Sequence, residues 1–238
     1  MKTLRLIGMA FMSVFLCANF AACSSSDDDE PSENGGNNTN VVKKLIEITE
    51  NEDSEITILK LTYDKNGKLF STNGYCNESY IWDDNYIVEE NNDKKFKVSN
   101  GLIVNYVNDN DELKYDSSNR IMLLDEENFT WDGNKITKIG SDYNTIRYTY
   151  TGIKHKGWAP TFGSDSSLWG TFEQEISAAL YYAHPELFGL KNCELPSKRT
   201  TDDITTTISY TFYDDGYVKT RTEVDSDGYE RHYTYKWE

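Results

Sequence analysis

Histidines, reactive serines and cysteines are the side chains that most often carry chemistry, and the chain has three histidines: His155, His184 and His232. A zinc protease places two histidines one helical turn apart in H-E-x-x-H, a spacing that does not occur here. His155 stands between two lysines, so we expect a solvent-exposed loop residue. His184 precedes a proline and marks a helix end, and His232 falls on a polar strand face. The serine-hydrolase motifs G-x-S-x-G and S-x-x-K are also missing from the sequence.

Carboxylates are abundant, and a glycosidase needs only two of them, about 5–10 Å apart across one bond. Three adjacent acid pairs, Asp83–Asp84, Asp202–Asp203 and Asp214–Asp215, fall in predicted turns, where Asp already has a structural role. We therefore predict no catalytic residues and no enzymatic activity. A polysaccharide or peptide hydrolase that uses unrecognised carboxylates stays open as the alternative.

Two acid-rich segments place oxygen ligands close together, as calcium prefers: Asn108–Glu112 and Asp225–Gly228. Neither segment completes an EF-hand loop, and turn propensity explains both. The sequence also lacks a C-x-x-C pair, a P-loop and a dinucleotide-binding fingerprint. We predict no metal site and no cofactor.

Three aromatic residues cluster in a segment that contains Gly, Ser and Pro: Trp158, Phe162 and Trp169. Aromatic side chains on loops stack on sugars or hold peptides, so these are the candidate ligand-binding residues. Tryptophans beside an amphipathic helix also serve as core. Both interpretations stay open at this point.

These candidates need elements to position them, and one pattern recurs along the chain. An aromatic residue is followed by Asp, then by Asn, Asp or Gly, and then by a new hydrophobic residue in LTYDKNGKL (61–69), YIWDDNYIV (80–88), LKYDSSNRI (113–121), FTWDGNKI (129–136) and YTFYDDGYV (210–218). Asp bonds the backbone of its own turn, and Gly or Asn accepts positive φ. Each copy predicts a β-hairpin turn.

The segments between the turns alternate with a period of two, as in Ile146, Tyr148 and Tyr150. The same alternation puts five residues of one segment on a common face: Ile204, Thr206, Ile208, Tyr210 and Phe212. In the last segment, it puts five more on a common face: Tyr229, Arg231, Tyr233, Tyr235 and Trp237. We predict an all-β fold with one helix: an antiparallel meander of about a dozen strands, forming a curved open sheet or half-barrel. Apolar residues at spacings of three and four predict the helix at about 168–184, within an insertion at about 155–198, covering one face or end of the sheet.

The N-terminus has two basic residues, Lys2 and Arg5, before a short apolar run that ends in FAAC at Cys23. Such a segment is typical of a cleaved signal peptide, here residues 1–22. The small residues before Cys23 resemble the lipobox of bacterial lipoproteins, which implies acylation of Cys23. Residues 23–40 are acidic and polar and predict a disordered tether, and residues 41–238 predict a single domain.

The chain has 24 basic and 40 acidic residues, a net charge of −16. A surface this acidic repels phosphate, so nucleic acid is an unexpected partner. Cys76 and Cys193 are the two cysteines of the folded part, and an oxidising compartment would allow them to pair. Their pairing stays open.

The lipobox, the repeated YD turns and the late segment HPELFGLKNCELPSK together resemble a bacterial lipoprotein family of unknown function with a porin-like fold. The resemblance implies a curved antiparallel sheet and an outer-membrane location, and it transfers no catalytic residue. We expect a monomer, held to the outer membrane by its lipid and exposed at the cell surface. It would bind a glycan or peptide or act as an envelope scaffold; an accessory subunit of an outer-membrane transporter is a further alternative.

Overall fold

The fold was analysed in a computed structural model. The structure describes residues 42–53, 55–91, 93–107, 113–124, 127–140, 145–157, 178–190, 194–201 and 203–238.

The described part is built almost entirely from antiparallel strands, sixteen in number. Seven cover the first half of the chain: β1 (Leu45–Glu52), β2 (Glu55–Tyr63), β3 (Leu69–Gly74), β4 (Tyr80–Trp82), β5 (Tyr86–Glu89), β6 (Lys94–Ser99) and β7 (Leu102–Tyr106). Nine follow: β8 (Leu113–Tyr115), β9 (Ile121–Leu124), β10 (Glu127–Asp132), β11 (Lys135–Gly140), β12 (Thr145–Lys154), β13 (Glu194–Thr200), β14 (Thr205–Phe212), β15 (Val218–Asp225) and β16 (Glu230–Trp237). The prediction of about a dozen strands was too low.

Most strands pair with their neighbours in the chain, and the last strand, β16, pairs with the first strand, β1. Twelve strands form one sheet, β3-β2-β1-β16-β15-β14-β13-β12-β11-β10-β9-β8, and the other four form the sheet β4-β5-β6-β7. The first and last strands pair with each other along their length, from Leu45 opposite Trp237 to Glu52 opposite Arg231. The two sheets contact each other at β3 and β4 and again at β7 and β8. The antiparallel meander predicted from the sequence is confirmed.

Aromatic residues on seven strands, including the motif residues Tyr63, Trp82, Tyr115 and Trp131, form what we call aromatic ties, in which a side-chain N–H or O–H donates to a backbone carbonyl near the start of the preceding strand. The ties are Tyr63 to Leu45, Trp82 to Leu69, Tyr115 to Ile103, Trp131 to Ile121, Tyr150 to Ile136, Tyr210 to Pro196 and Trp237 to Val218, with lengths of 2.5–2.9 Å. Two of them, from Trp82 and Tyr115, cross the two seams between the sheets. The repeat therefore joins strands even where no sheet ladder runs.

In four of the seven ties, a cationic side chain lies over the aromatic ring. The residue just before the accepting carbonyl is Lys44, Lys68, Arg120 or Lys135, and each lies 4.7–5.8 Å from the centre of the tied ring. The Asp that follows the aromatic residue closes the turn: Oδ1 of Asp64 accepts the N–H groups of residues 66 and 68 at 2.8 and 2.9 Å. Hairpin turns were predicted at each of these motifs, and strands end and restart at each of them.

The chain between β12 and β13 contributes a short helix, α1 (Ala178–Ala183), and a 3-10 turn, Pro185–Phe188. Residues 179–185 are all buried, so this helix has no solvent-facing side in the part described. The helix ends just before His184-Pro185, as the proline predicts. Gly189 has a φ of 62°, and a Cβ there would lie 2.1 Å from the carbonyl oxygen of Asn119, so only glycine fits.

The alternation predicted the two strand faces correctly in the middle of each strand. Thr206 and Ile208 are buried, and so are Tyr233 and Tyr235. The ends of β14 depart from the prediction, because Ile204 is 39% exposed and Phe212 37% exposed at the rims. The predicted helix at about 168–184 is described only from Ala178, and β13 begins at Glu194, inside the predicted insertion.

Candidate functional site

The most unusual feature of the interior is a cluster of charged side chains on the inner face of β1 and β13–β16. Four members are buried although they are ionisable, Glu50, Arg199, Arg221 and Glu223, and two are half-buried at the rim, Asp225 and Arg231. Arg221 and Glu223 are 0% exposed. We refer to these six residues as the interior charged cluster.

Strand register explains why they meet. Glu50 on β1 stands opposite Tyr233 on β16, which stands opposite Arg221 on β15. One row further along, Arg231 stands opposite Glu223. Arg221, Glu223 and Asp225 are two positions apart along β15, and so are Arg231 and Tyr233 along β16, so the side chains on each strand point to one face.

Glu223 is the centre of the cluster. Its carboxylate lies 3.1 Å from Arg221 Nη2, 3.6 Å from Arg199 Nη2 and 3.8 Å from Arg231 Nε. Asp225 takes the other side of Arg231, with Oδ2 2.6 Å from Nη2. Three guanidinium groups thus surround two carboxylates, and Arg221 also lies 3.9 Å from the ring centre of Tyr233.

The polar contacts continue to the neighbouring strand. The Thr206 hydroxyl donates to Asp225 Oδ1 at 2.6 Å and accepts from Arg199 Nη2 at 3.1 Å. Burial of paired, hydrogen-bonded charges is tolerated in a protein interior, whereas an unpaired charge is not. The cluster therefore has a structural role, because its charged atoms contact one another.

Glu50 is the exception to this pairing. Burial raises its pKa to about 7, and the neighbouring Glu52 carboxylate adds to the rise, while Tyr233, Arg221 and Arg231 oppose it. A carboxyl group with this pKa changes its protonation near neutral pH. Because Glu50 is only 2% exposed, the proton it exchanges sits inside the fold.

Helix α1 faces the cluster with two adjacent tyrosines. Tyr181 and Tyr182 are buried, with ring centres 5.6 Å apart. Burial raises the pKa of both phenols, and Arg221 partly offsets the rise at Tyr181. Glu50 and Tyr233 act electrostatically on Tyr182. These effects place both phenols within electrostatic range of the cluster.

His184 is more than the helix stop that the sequence predicts. Its Nε2 accepts the backbone N–H of Leu69 at 3.0 Å, and its Nδ1 lies 2.8 Å from Glu186 Oε1. The bond from Leu69 leaves the proton on Nδ1, which therefore donates to Glu186. The ring also meets Trp82 edge-on at 4.9 Å. His184 thus joins the end of α1 to the start of β3.

The expectation for His155 was wrong. It was predicted as a solvent-exposed loop residue, yet it is half-buried and both its ring nitrogens are shielded from solvent. Burial lowers its pKa to about 4, against a smaller opposite effect of a backbone bond with Gly157. The prediction relied on the flanking lysines, but β12 continues to Lys154, so His155 directly follows a strand. His232 is exposed on the polar face of β16, as predicted.

The aromatic candidates Trp158, Phe162 and Trp169 lie outside the described residues, and so do Cys23, Cys193 and the Asn108–Glu112 segment. Cys76 is half-buried, with its sulfur 3.6 Å from Thr72 Oγ1, and its pairing with Cys193 stays open because Cys193 lies outside the described residues. In the turn 225–228, Asp225 pairs with Arg231. Among the described residues, no group of three or more His, Cys, Asp or Glu is arranged to hold a metal ion.

Sequence reasoning missed most of the interior charged cluster, although a signal for it existed. Arg231 alternates with Tyr233 and Tyr235, so the sequence pattern places it on their face. Arg221 and Glu223 lie two residues apart on β15, which pairs with β16, the strand that carries Arg231. Charged residues at inward positions contradict an apolar face. Only the register of five strands reveals that their charges compensate.

Comparison with solved structures agrees with the fold. The chain is similar to a porin-like protein from Bacteroides uniformis, with a TM-score of 0.60 and 14% identity, over 82% of this chain and 98% of that one. It is also similar to a porin-like protein from Bacteroides vulgatus, with a TM-score of 0.53 and 12% identity, over 82% and 99% of the two chains. These likenesses show a porin-like fold. No family model and no curated protein matches the chain.

In the part of the chain that the structure describes, no helix has both the length and the apolar character to cross a membrane.

Proposed function

We propose that the protein is a surface lipoprotein without enzymatic activity, which presents its outer sheet face to an extracellular ligand or partner. The observation that carries the proposal is the use of the interior: among the described residues, the clustered charged groups are buried against one another, with Tyr181 and Tyr182 of helix α1 in electrostatic range. An active site needs its reacting groups to reach substrate. The outer surface is then the part of the protein that contacts a ligand or partner.

The anchoring part of the proposal rests on the N-terminal sequence. A basic start, a short apolar run and small residues before Cys23 suit cleavage and lipidation there, and two or three acyl chains hold a membrane durably. Lys44 exchanges backbone hydrogen bonds with Glu238 at 2.6 and 2.8 Å, so the chain enters the sheet beside Glu238. A tether entering there leaves the rest of the outer face unobstructed. The protein would act as a monomer.

Protease treatment of intact cells tests the location. The wild-type protein should be digested on intact cells, while a periplasmic marker survives. The Cys23→Ala variant should lose its membrane association. Survival of the wild-type protein on intact cells, with digestion only after lysis, would contradict surface exposure.

A second candidate is a subunit that docks on a larger envelope assembly, and one observation favours it. Ile56 is 66% exposed and Ile58 38% exposed on β2, and Tyr75, 42% exposed, bonds to Ile58 through its backbone N–H. Exposed apolar residues that stand together are typical of interaction sites. Cross-linking on cells, with an Ile56→Ser/Ile58→Ser variant as the comparison, distinguishes a docked subunit from a free module.

A further inference from the structure

The outer face of β11–β13 carries three cations that lie close together, although the chain as a whole is acidic. Lys138 on β11 stands directly opposite Arg147 on β12, and Lys198 on β13 lies diagonally across from Arg147. Their other partners in the ladder are all threonines, and we define the basic patch as these three cations together with Thr130, Thr149, Thr200 and Thr207.

The basic patch is open to solvent and is not neutralised within the described residues. Arg147 and Lys198 are exposed and Lys138 is half-buried. Among the described residues, no acid forms an ion pair with any of the three. By contrast, Lys60 and Lys236 share Glu47, and Lys43 lies 2.5 Å from Asp215.

The arrangement works against the stability of the isolated domain. Like charges directly opposite each other on a sheet repel, and a single acid at either position would remove the repulsion. The chain has 40 acidic residues available for such a role and a net charge of −16. Three cations that lie together with no acid paired to them among the described residues are better explained by a ligand than by stability.

The geometry suits an extended anionic ligand. Side chains on neighbouring strands lie about 5 Å apart directly and about 7–8 Å apart diagonally, so the three cations form a row across the sheet. The threonine hydroxyls between them donate hydrogen bonds to oxygen atoms. An open sheet face offers no pocket for a single small ion, but it accommodates a chain that repeats its acidic groups.

We infer that the basic patch binds an acidic polysaccharide, one that carries sulfate or carboxylate groups along its length. This inference rests on the proposed function, since it names the class of ligand for the exposed outer face. Elsewhere the acidic surface repels such a polymer, which would direct its binding to this patch.

Binding of the purified full chain to heparin, polygalacturonate and neutral dextran tests the inference. We expect salt-sensitive binding to at least one of the two acidic polymers and none to dextran. The triple variant Lys138→Gln/Arg147→Gln/Lys198→Gln should bind about tenfold more weakly. The matched control, Lys43→Gln/Lys60→Gln/Lys236→Gln, removes the same charge from paired positions and should retain binding within about twofold.

Three results would overturn the inference: no binding to either acidic polymer, equal loss in both triple variants, or tighter binding to single-stranded DNA or to anionic lipid vesicles. Thermal unfolding of both variants checks that they are folded, and Arg147→Gln alone should still weaken binding if the triple variant is unstable. Protease treatment of cells is independent of these results. Digestion on cells without polysaccharide binding would refute the ligand and leave the surface location standing.

Discussion

The inner face of the strands differs between two regions of the molecule. From β2 to β11 it is mostly apolar, with fully buried residues such as Leu59, Leu69, Ile121 and Ile139. On β1 and β13–β16 the same side of the strands carries the interior charged cluster. Both regions are equally closed to solvent, since Ile139 and Glu223 are each 0% exposed.

The difference shows that burial alone does not specify an apolar side chain. In the first region each side chain contributes by its volume, so neighbours are interchangeable if they fill the space. In the second region each charge depends on a particular partner on another strand. We expect the apolar region to tolerate conservative substitution, and the charged region to tolerate loss of a partner poorly.

The largest effect should come from removing the central carboxylate. Glu223→Gln keeps the shape of the side chain but leaves the guanidinium groups of Arg199, Arg221 and Arg231 without their shared anion. Breaking a buried ion pair in this way costs about 3–5 kcal/mol. Urea unfolding of the purified variant measures the loss.

The control for Glu223→Gln is Glu47→Gln, which removes a carboxylate from the outer face of β1. Glu47 binds Lys236 at 2.5 Å, but that lysine is 57% exposed. Exposed pairs contribute little, so the control should lose less than about 1 kcal/mol. Similar losses in both variants would mean that the cluster is no more important than a surface pair.

The apolar region should respond through volume and without dependence on pH. Ile139→Ala on β11 empties space between Phe129 and Ile146, its neighbours in the ladder. Truncation of a buried isoleucine costs about 2–5 kcal/mol. The loss in unfolding free energy should be the same at pH 5 and pH 8. A loss that changes with pH would show that the two regions are electrostatically coupled.

Glu50 should show the opposite behaviour, because its effect depends on pH. Its pKa is about 7 in the fold and about 4.5 when unfolded. The folded state therefore holds the proton more tightly, and stability falls as pH rises from 4.5 to 7. Glu50→Gln removes this penalty, so the variant should be more stable than the wild type by up to about 3 kcal/mol above pH 7 and equal to it below pH 4.5.

His155 acts in the opposite direction over a similar range. Its pKa falls from 6.5 to about 4 on folding, so its contribution is present above pH 6.5 and is lost as pH falls toward 4. The wild-type pH profile mixes the two effects. The difference between wild type and Glu50→Gln at each pH isolates Glu50, and a difference that stays constant with pH would contradict its raised pKa.

The sequence predicted the parts of this molecule that depend on local chemistry. The turns followed from Asp, Asn and Gly, the strand faces from alternation, and the helix end from His184-Pro185. It could not predict which strands become neighbours across the chain, and β1 pairs with β16 at a separation of almost the whole domain. The interior charged cluster and the basic patch both depend on register between strands, so their full membership could not be predicted before the topology was known.

The aromatic ties should show the smallest effect and are shared by both regions. Tyr150→Phe keeps the ring under Lys135 and removes only the hydroxyl that donates to Ile136 at 2.7 Å. The loss of one such bond costs about 0.5–1.5 kcal/mol. Tyr86→Phe is the matched control, because Lys95 also lies over this ring, at 4.0 Å, while the Tyr86 hydroxyl bonds to no described residue. Thermal unfolding should separate the two variants, and equal stabilities would mean that the rings and their lysines, rather than the hydroxyl bonds, hold neighbouring strands together.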